Sequence, residues 1–169
     1  NTAGFVVHAV DHRGHGRTAN GRLGDFGAAG FGGLIADVVQ FGAALRARHG
    51  GLPLFLFGHS MGSFAAQAAL LDHAAPWAGV VLSGSTALDA FAAAMANAPA
   101  DAPAGLEAFN AGFEHRTGYE WLSRDPAEVD AYVANPWCGW DVPADVIPAL
   151  FEPAPRVADP ARLAGIRRD

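Results

Sequence analysis

The sequence predicts an α/β fold in which helices wind around a doubly wound, mostly parallel sheet that carries an inserted helical cap. Three short apolar runs support this prediction, because a longer stretch with a helical pattern separates each run from the next. Strands that alternate with helices are typical of βαβ units with right-handed crossovers. The cap is indicated by the second half of the chain, where short helical patterns recur without a clear strand.

The first predicted strand covers Phe5 to Val10, whose β-branched residues are typical of a buried parallel strand. A loop punctuated by glycine follows from Asp11 to Thr18. From Phe31 to Leu45 apolar residues recur every three or four positions, which predicts an amphipathic helix that Gly50 and Gly51 terminate.

The second predicted strand covers Leu54 to Phe57, directly after Pro53. It shows no polar alternation, so we expect it in the middle of the sheet with both faces covered. Small residues continue a helical pattern from Phe64 to Leu71, and Pro76 breaks it. The third strand runs from Gly79 to Ser85.

These patterns divide the chain into a core over residues 1–85, a cap over 86–155 and a return helix over 156–169. Two Asp-Pro pairs, Asp125-Pro126 and Asp159-Pro160, are typical of a helix N-cap followed by the first helical residue. Prolines separate the short helical patterns of the cap: Pro99, Pro103, Pro126, Pro136, Pro143 and Pro148.

Composition excludes several classes of protein. The chain has 169 residues, 51% of them apolar, which suffices for one sizeable core. Its net charge of −6 without a basic cluster argues against a nucleic-acid partner. The single cysteine, Cys138, excludes an internal disulfide, and no apolar run reaches the roughly 18 residues of a membrane span. We therefore expect a soluble, cytoplasmic protein without a transmembrane segment.

A Gly-x-Ser-x-Gly motif dominates the sequence: Gly58-His59-Ser60-Met61-Gly62. It lies between an apolar strand and a helical pattern, the setting of a nucleophile elbow, in which a strained turn presents the serine. We predict that Ser60 is a nucleophile, that the glycines let strand and helix approach, and that His59 shapes the turn. The Met61 N–H, in the first turn of the helix, would stabilise an oxyanion. The alternative is that Ser60 merely caps the helix.

Three features together make the chain resemble the α/β-hydrolase superfamily: the loop Asp11–Thr18, the elbow and the inserted cap. The resemblance is to the branch of monoacylglycerol lipases, lysophospholipases and serine aminopeptidases. The loop matches the Asp-x-x-Gly-His-Gly-x-Ser/Thr pattern of that branch. The resemblance implies that Ser60 is the nucleophile and that the Met61 backbone N–H is an oxyanion donor. It also implies that the triad acid and histidine and the second oxyanion donor lie outside this chain, in a fold of which this is a fragment. We therefore expect the fragment by itself to be nearly inactive.

Other polar residues receive structural interpretations. Asp11, Arg13 and His15 precede Ser60, whereas the acid of the family follows the nucleophile, so a structural loop role is favoured. His73 and His115 lack the strand-end setting of a triad histidine. We expect no cofactor and no metal, because His8, His12 and His15 have no Cys or Glu to complete a ligand set.

The aromatic residues of the cap suggest an apolar substrate. Phe109, Phe113 and Trp137 are the candidate pocket residues, and their alternative role is to hold the cap together. The same alternative applies to Phe91, Trp121 and Trp140, and Cys138 is interpreted as a small apolar residue.

The predicted function is hydrolysis of a carboxylic ester with an apolar acyl chain, of the lysophospholipid or monoacylglycerol type, through an acyl-serine intermediate. An amide, peptide or small-ester substrate is the first alternative, because the same elbow serves all of these reactions. The second is a catalytically inactive α/β-hydrolase fold that binds a small apolar ligand. The sequence leaves acyl length, head group and oligomeric state open.

Overall fold

The computed structural model describes residues 3–74, 76–99, 105–143 and 146–166. Its centre is a parallel βαβ unit, in which strand β1 (Phe55–His59) leads into helix α2 (Met61–Asp72) and then strand β2 (Gly79–Ser83). Phe55 lies opposite Gly79 and His59 opposite Ser83. The predicted alternation of strand and helix is therefore confirmed here, although β2 ends two residues before the predicted Ser85.

The predicted first strand is wrong. Residues 5–10 form no strand, and the described residues contain one sheet of two strands, neither of which pairs with this segment. The apolar side chains of Val6 and Val7 are exposed. A β-branched run becomes a strand only when a neighbouring strand forms a hydrogen-bonded ladder with it, and sequence pattern alone does not report that neighbour.

The expectation that the second strand lies mid-sheet and is covered on both faces is also wrong. On one face, the side chains of Phe55, Phe57 and Val81 are 55%, 66% and 51% exposed. The other face approaches α2, since a side chain added at Gly58 would meet Ala66. The run from Leu54 to Phe57 is apolar, as predicted, but the described residues cover only one face of β1.

Helices α1 (Gly30–Arg48) and α2 form the core beside the sheet. Phe31 and Leu34 of α1 are completely buried, and they belong to one cluster with Phe64 and three alanines of α2, Ala65, Ala68 and Ala69. The predicted amphipathic helix is confirmed and extends three residues beyond Leu45. The small residues of α2 allow close packing, as the pattern indicated.

The region after β2 is helical, as predicted. It contains α3 (Leu88–Ala96), α4 (Pro126–Ala134), α5 (Val146–Leu150), α6 (Ala154–Val157) and α7 (Pro160–Ala164), with 3₁₀ turns at Gly105–Asn110 and Glu120–Leu122. None of the described helices is long and apolar enough to cross a membrane.

Both Asp-Pro signals are confirmed, because Asp125 accepts a hydrogen bond from the Ala127 N–H and Asp159 accepts one from the Ala161 N–H. Pro148 lies inside α5 rather than between helices, in the first turn, where a missing N–H is tolerated. The expected break at Pro103 lies outside the described residues.

Several helices of the predicted cap share the core of α1 and α2. The contributing residues of the cap include Leu88, Phe91, Val146, Ala149, Leu150, Phe151 and Ala154, and Val157 of the predicted return helix joins them. Phe91 contacts the rings of Phe64 and Phe151, so it packs the core. The division at residues 85 and 155 stays a prediction.

Candidate active site

Ser60 occupies the tight turn between β1 and α2. Its backbone has φ 51° and ψ −122°, a combination that residues other than glycine rarely adopt. The residue is exposed, and its side chain makes no capping hydrogen bond to α2. Helix capping therefore does not explain this serine.

Hydrogen bonds hold both backbone groups of Ser60. Its N–H donates to the Ser83 carbonyl of β2 at 3.0 Å. Its carbonyl accepts from the Ser63 N–H at 2.8 Å and from the Ser63 hydroxyl at 2.6 Å. The strained residue is thus fixed from the sheet on one side and from the helix on the other.

The two glycines of the motif have different environments. A Cβ at Gly58 would lie 2.5 Å from the Gly62 carbonyl oxygen, so strand and helix approach too closely there for any side chain. A Cβ at Gly62 would meet nothing within 4 Å. The expectation that both glycines relieve a clash is correct for Gly58 and wrong for Gly62. The carbonyl oxygen of Gly62 is the atom that a side chain at Gly58 would meet.

His59 is held on the opposite side of the sheet from α2. Its Nδ1 lies 3.1 Å from the Ser83 hydroxyl, and its ring covers Gly84, where a Cβ would be 2.9 Å from the imidazole. Gly84 has φ 52°, which also favours glycine. His59 therefore packs against the end of β2, in agreement with a role in shaping the turn.

The Met61 N–H is the first amide of the 12-residue helix α2. Within the described part of the chain, no group accepts a hydrogen bond from it. Free amides and the positive end of the helix dipole meet at this terminus, which suits a developing negative charge beside Ser60.

No general base contacts Ser60 among the described residues. The Ser60 side chain has no hydrogen-bond partner there. His73 is at the far end of α2, about 20 Å away by the rise of a helix. His115 contacts Asn110 beyond α3. Neither histidine forms a hydrogen bond to Ser60 within the described residues, and the absence of a triad histidine stays a prediction.

The loop Asp11–Thr18 is a hydrogen-bonded structure of its own. The Asp11 carboxylate accepts from the Arg17 N–H at 3.0 Å and fills the space that a Cβ at Gly16 would need. Arg13 forms a bidentate ion pair with Asp37 of α1 at 2.7 and 2.8 Å. These contacts support the structural role expected for Asp11 and Arg13.

Electrostatics agree with this assignment. The hydrogen bond from Arg13 lowers the pKa of Asp37, and the same bond raises the pKa of Arg13. Burial lowers the pKa of His12, and the neighbouring His15 lowers it further. The loop therefore carries an ion pair with α1 and a histidine whose neutral form is favoured.

The same loop contacts the predicted cap. The Arg17 guanidinium lies 5.7 Å from the ring centre of Trp137, and the His15 ring packs edge-on against Trp140 at 5.3 Å. Gly24 has φ 81° and lies so close to Trp140 that a side chain would overlap it. Trp137 and Trp140 therefore attach the cap to the core.

The candidate pocket residues are half-exposed. Phe109 packs on Trp121 at 5.2 Å, and Phe113 and Trp137 are 49% and 47% exposed. A groove of about 420 Å³ lies between α2 and α7, and one of about 270 Å³ lies between residues 23–30 and α5. Neither groove is lined by Ser60, Phe109, Phe113 or Trp137. Their role in a pocket stays a prediction.

Sequence reasoning missed three residues that shape this region. Ser63 lies three positions after Ser60, a spacing that allows a helical serine to bond the carbonyl before it, so a signal was present. No sequence pattern indicated Asp37 or Ser83. The contact of Asp37 depends on how α1 packs against the loop, and the contact of Ser83 depends on the register of β1 with β2.

Two known proteins match part of this chain in sequence. The chain is 38% identical over 73 residues to a monoglyceride lipase homolog of Monkeypox virus and 35% identical over 80 residues to the monoglyceride lipase of Homo sapiens. These alignments cover 41% and 46% of the chain, but only 24% and 25% of the two relatives.

A solved structure gives the same fold. The highly thermostable carboxyl esterase from Bacillus coagulans, in complex with glycerol, matches with a TM-score of 0.65 and 27% identity. The match covers 83% of this chain and 51% of the esterase, so the chain spans about half the length of that enzyme. The sequence profile described as serine aminopeptidase, S33, matches residues 1–166. The resemblance drawn from the two motifs is confirmed: the chain belongs to the serine aminopeptidase S33 family of α/β-hydrolases.

Proposed function

We propose that the complete protein is a serine hydrolase that cleaves a carboxylic ester with an apolar acyl chain, of the monoacylglycerol or lysophospholipid type. The observation that carries the proposal is the strained, exposed Ser60 at the junction of β1 and α2. This is the geometry of a nucleophile elbow. The monoglyceride lipases and the carboxyl esterase among the related proteins support an ester substrate.

In the proposed mechanism the Ser60 Oγ attacks the ester carbonyl carbon, and its proton passes to a general base. The Met61 N–H donates to the resulting oxyanion. Collapse of the tetrahedral intermediate expels the alcohol, which takes up the proton, and leaves an acyl-Ser60 ester. A water molecule then hydrolyses this ester and releases the carboxylic acid.

The described residues place no base beside Ser60. Loss of a triad member costs about four to six powers of ten in rate, so we expect the 169-residue chain alone to turn over esters very slowly. Phe109, Phe113 and Trp137 are the proposed contacts of the acyl chain. A cytoplasmic location is part of the proposal and is supported by the single cysteine, Cys138, which has no partner for a disulfide.

Labelling by a fluorophosphonate probe tests the nucleophile. We expect the complete wild-type protein to be labelled at Ser60, the S60A variant to remain unlabelled, and the S85A variant to be labelled like wild type. Ser85 is a suitable control because its hydroxyl bonds Gln67 rather than any residue of the turn. Binding of a lipid without any labelling of wild type would instead support a catalytically inactive binding protein.

An amide or peptide substrate is the second candidate, and the description of the family as serine aminopeptidases favours it. Turnover of monoacylglycerol, lysophospholipid, a short-chain ester and an aminoacyl amide by the complete protein separates the candidates. Preference for a long-chain ester supports the first proposal. Preference for the aminoacyl amide would refute it and leave Ser60 as the nucleophile of an aminopeptidase.

A further inference from the structure

The Ser60 carbonyl receives two hydrogen bonds from one residue. Ser63 donates its N–H at 2.8 Å and its hydroxyl at 2.6 Å, and Ser63 itself is completely buried in the first turn of α2. A buried hydroxyl that bonds a carbonyl at this distance has a fixed rotamer and a fixed acceptor. Ser63 therefore restrains the Ser60 carbonyl more tightly than the helix N–H alone would.

This carbonyl shares its peptide plane with the Met61 N–H. A peptide bond is planar, and none of the described peptide bonds is cis, so the C=O of Ser60 and the N–H of Met61 point in opposite directions. A contact that fixes one of these groups fixes the other. Hydrogen bonds to a carbonyl also polarise the peptide and strengthen its N–H as a donor.

We propose that Ser63 is a positioning residue that orients the Met61 N–H toward the oxyanion; this inference rests on the proposed function of Ser60. Ser63 does not touch the substrate. It holds the Ser60–Met61 peptide so that the amide is aligned before the negative charge develops, which is the preorganisation that oxyanion stabilisation requires. A serine that merely satisfies the helix terminus would stabilise α2 without affecting the chemical step.

The test compares S63A with wild type in the complete protein. Loss of the hydroxyl leaves one of the two hydrogen bonds, so we expect kcat and the rate of fluorophosphonate labelling to fall about 10-fold while KM stays within about twofold. The affinity of a trifluoromethyl ketone, which forms a tetrahedral oxyanion adduct, should fall by the same factor, and that of the product carboxylate should not.

Two further variants control for folding. S63C replaces the hydroxyl by a somewhat larger thiol that is a weak donor, so its labelling rate should lie between those of S63A and wild type. S123A deletes a hydroxyl that accepts the Asp125 N–H at 3.1 Å, far along the chain from Ser60, and should be labelled at the wild-type rate. Equal labelling of S63A and wild type would overturn the proposal.

The carbonyl ¹³C shift of Ser60 provides a readout that does not depend on activity. We expect it to move upfield in S63A and to stay unchanged in S123A. If wild type is never labelled, the proposed function fails, whereas a shift that moves in S63A still supports the restraint on the peptide. A Ser60 shift that is the same in S63A and wild type overturns the inference in either case.

Discussion

At the scale of one residue, Ser60 carries backbone strain in the turn between β1 and α2. Its φ of 51° and ψ of −122° lie in a region that glycine populates and that costs another residue about 1–3 kcal/mol. We predict that S60G raises the free energy of unfolding by about 1 kcal/mol, since the released strain exceeds the entropic cost of glycine, about 0.5–1 kcal/mol. Urea denaturation of the purified variants measures this difference.

S60A is the matched control for this prediction. It removes the same hydroxyl but keeps Cβ, so the strain remains and its stability should stay within about 0.5 kcal/mol of wild type. Both variants should be unlabelled by a fluorophosphonate. If S60G and S60A unfolded at the same urea concentration, the turn would not store the strain that its dihedral angles indicate.

Among the described residues, Glu120 has the most strongly shifted pKa. Its carboxylate accepts hydrogen bonds from the Thr117 hydroxyl and N–H, both at 2.6 Å, and from the Asn110 side chain at 3.0 Å. The bond from the Thr117 hydroxyl is the largest cause that lowers the pKa of Glu120 from 4.5 to about 2. These bonds favour the charged form and connect the two 3₁₀ turns.

Because the pKa of Glu120 is lower in the folded state, its contribution to stability is complete above about pH 4.5 and is lost as pH falls toward 2. We predict a titration midpoint near pH 2 for its carboxyl ¹³C resonance. T117A should move that midpoint up toward the ordinary value of glutamate, and E120Q should lose less stability than wild type between pH 5 and pH 2. A wild-type midpoint near 4.5 would contradict the prediction.

At the scale of an element, α1 contains two glycines with opposite expected effects. A Cβ at Gly42 would lie 2.3 Å from the buried ring of Trp77, whereas a Cβ at Gly32 would meet nothing within 4 Å. We predict that G42A destabilises the protein by about 1–2 kcal/mol, because overpacking against Trp77 exceeds the gain in helix propensity. G32A should stabilise it by up to about 1 kcal/mol.

Thermal unfolding of the two variants at one protein concentration checks this pair. Both variants replace glycine by alanine in α1, so both gain helix propensity. The difference between their melting temperatures therefore reports the contact with Trp77. Equal melting temperatures for G42A and G32A would show that Trp77 moves aside without cost.

For the whole molecule, sequence pattern predicted what depends on neighbouring residues along the chain. The βαβ unit, the Asp125 and Asp159 caps and the position of Ser60 all follow from local periodicity and turn chemistry. The strand predicted at residues 5–10 and the expectation that both faces of β1 are covered were wrong, since both features depend on which segments lie beside them in space. The same limit hid Ser83, whose contact with His59 exists only through the register of the strands.

The open face of the sheet is the property of the whole molecule with the clearest consequence. Phe55, Phe57 and Val81 lie on it together, because Phe57 is paired with Val81 and Phe55 is two residues before Phe57 on the same strand. Contiguous apolar surface of this kind is uncommon on a monomer and favours association. Single exposed apolar residues are common on protein surfaces and have no such effect. Val133 on α4 is an exposed apolar residue outside the sheet.

We therefore predict that the 169-residue chain self-associates through this face at micromolar concentration. F57K places a charge on the patch and should lower the weight-average mass in sedimentation equilibrium, together with the binding of a hydrophobic dye. V133K introduces the same charge at an exposed apolar residue outside the sheet, since Val133 is 51% exposed and Phe57 is 66% exposed. It should leave both measurements unchanged. If F57K and V133K lowered association equally, net charge rather than the open sheet face would control it.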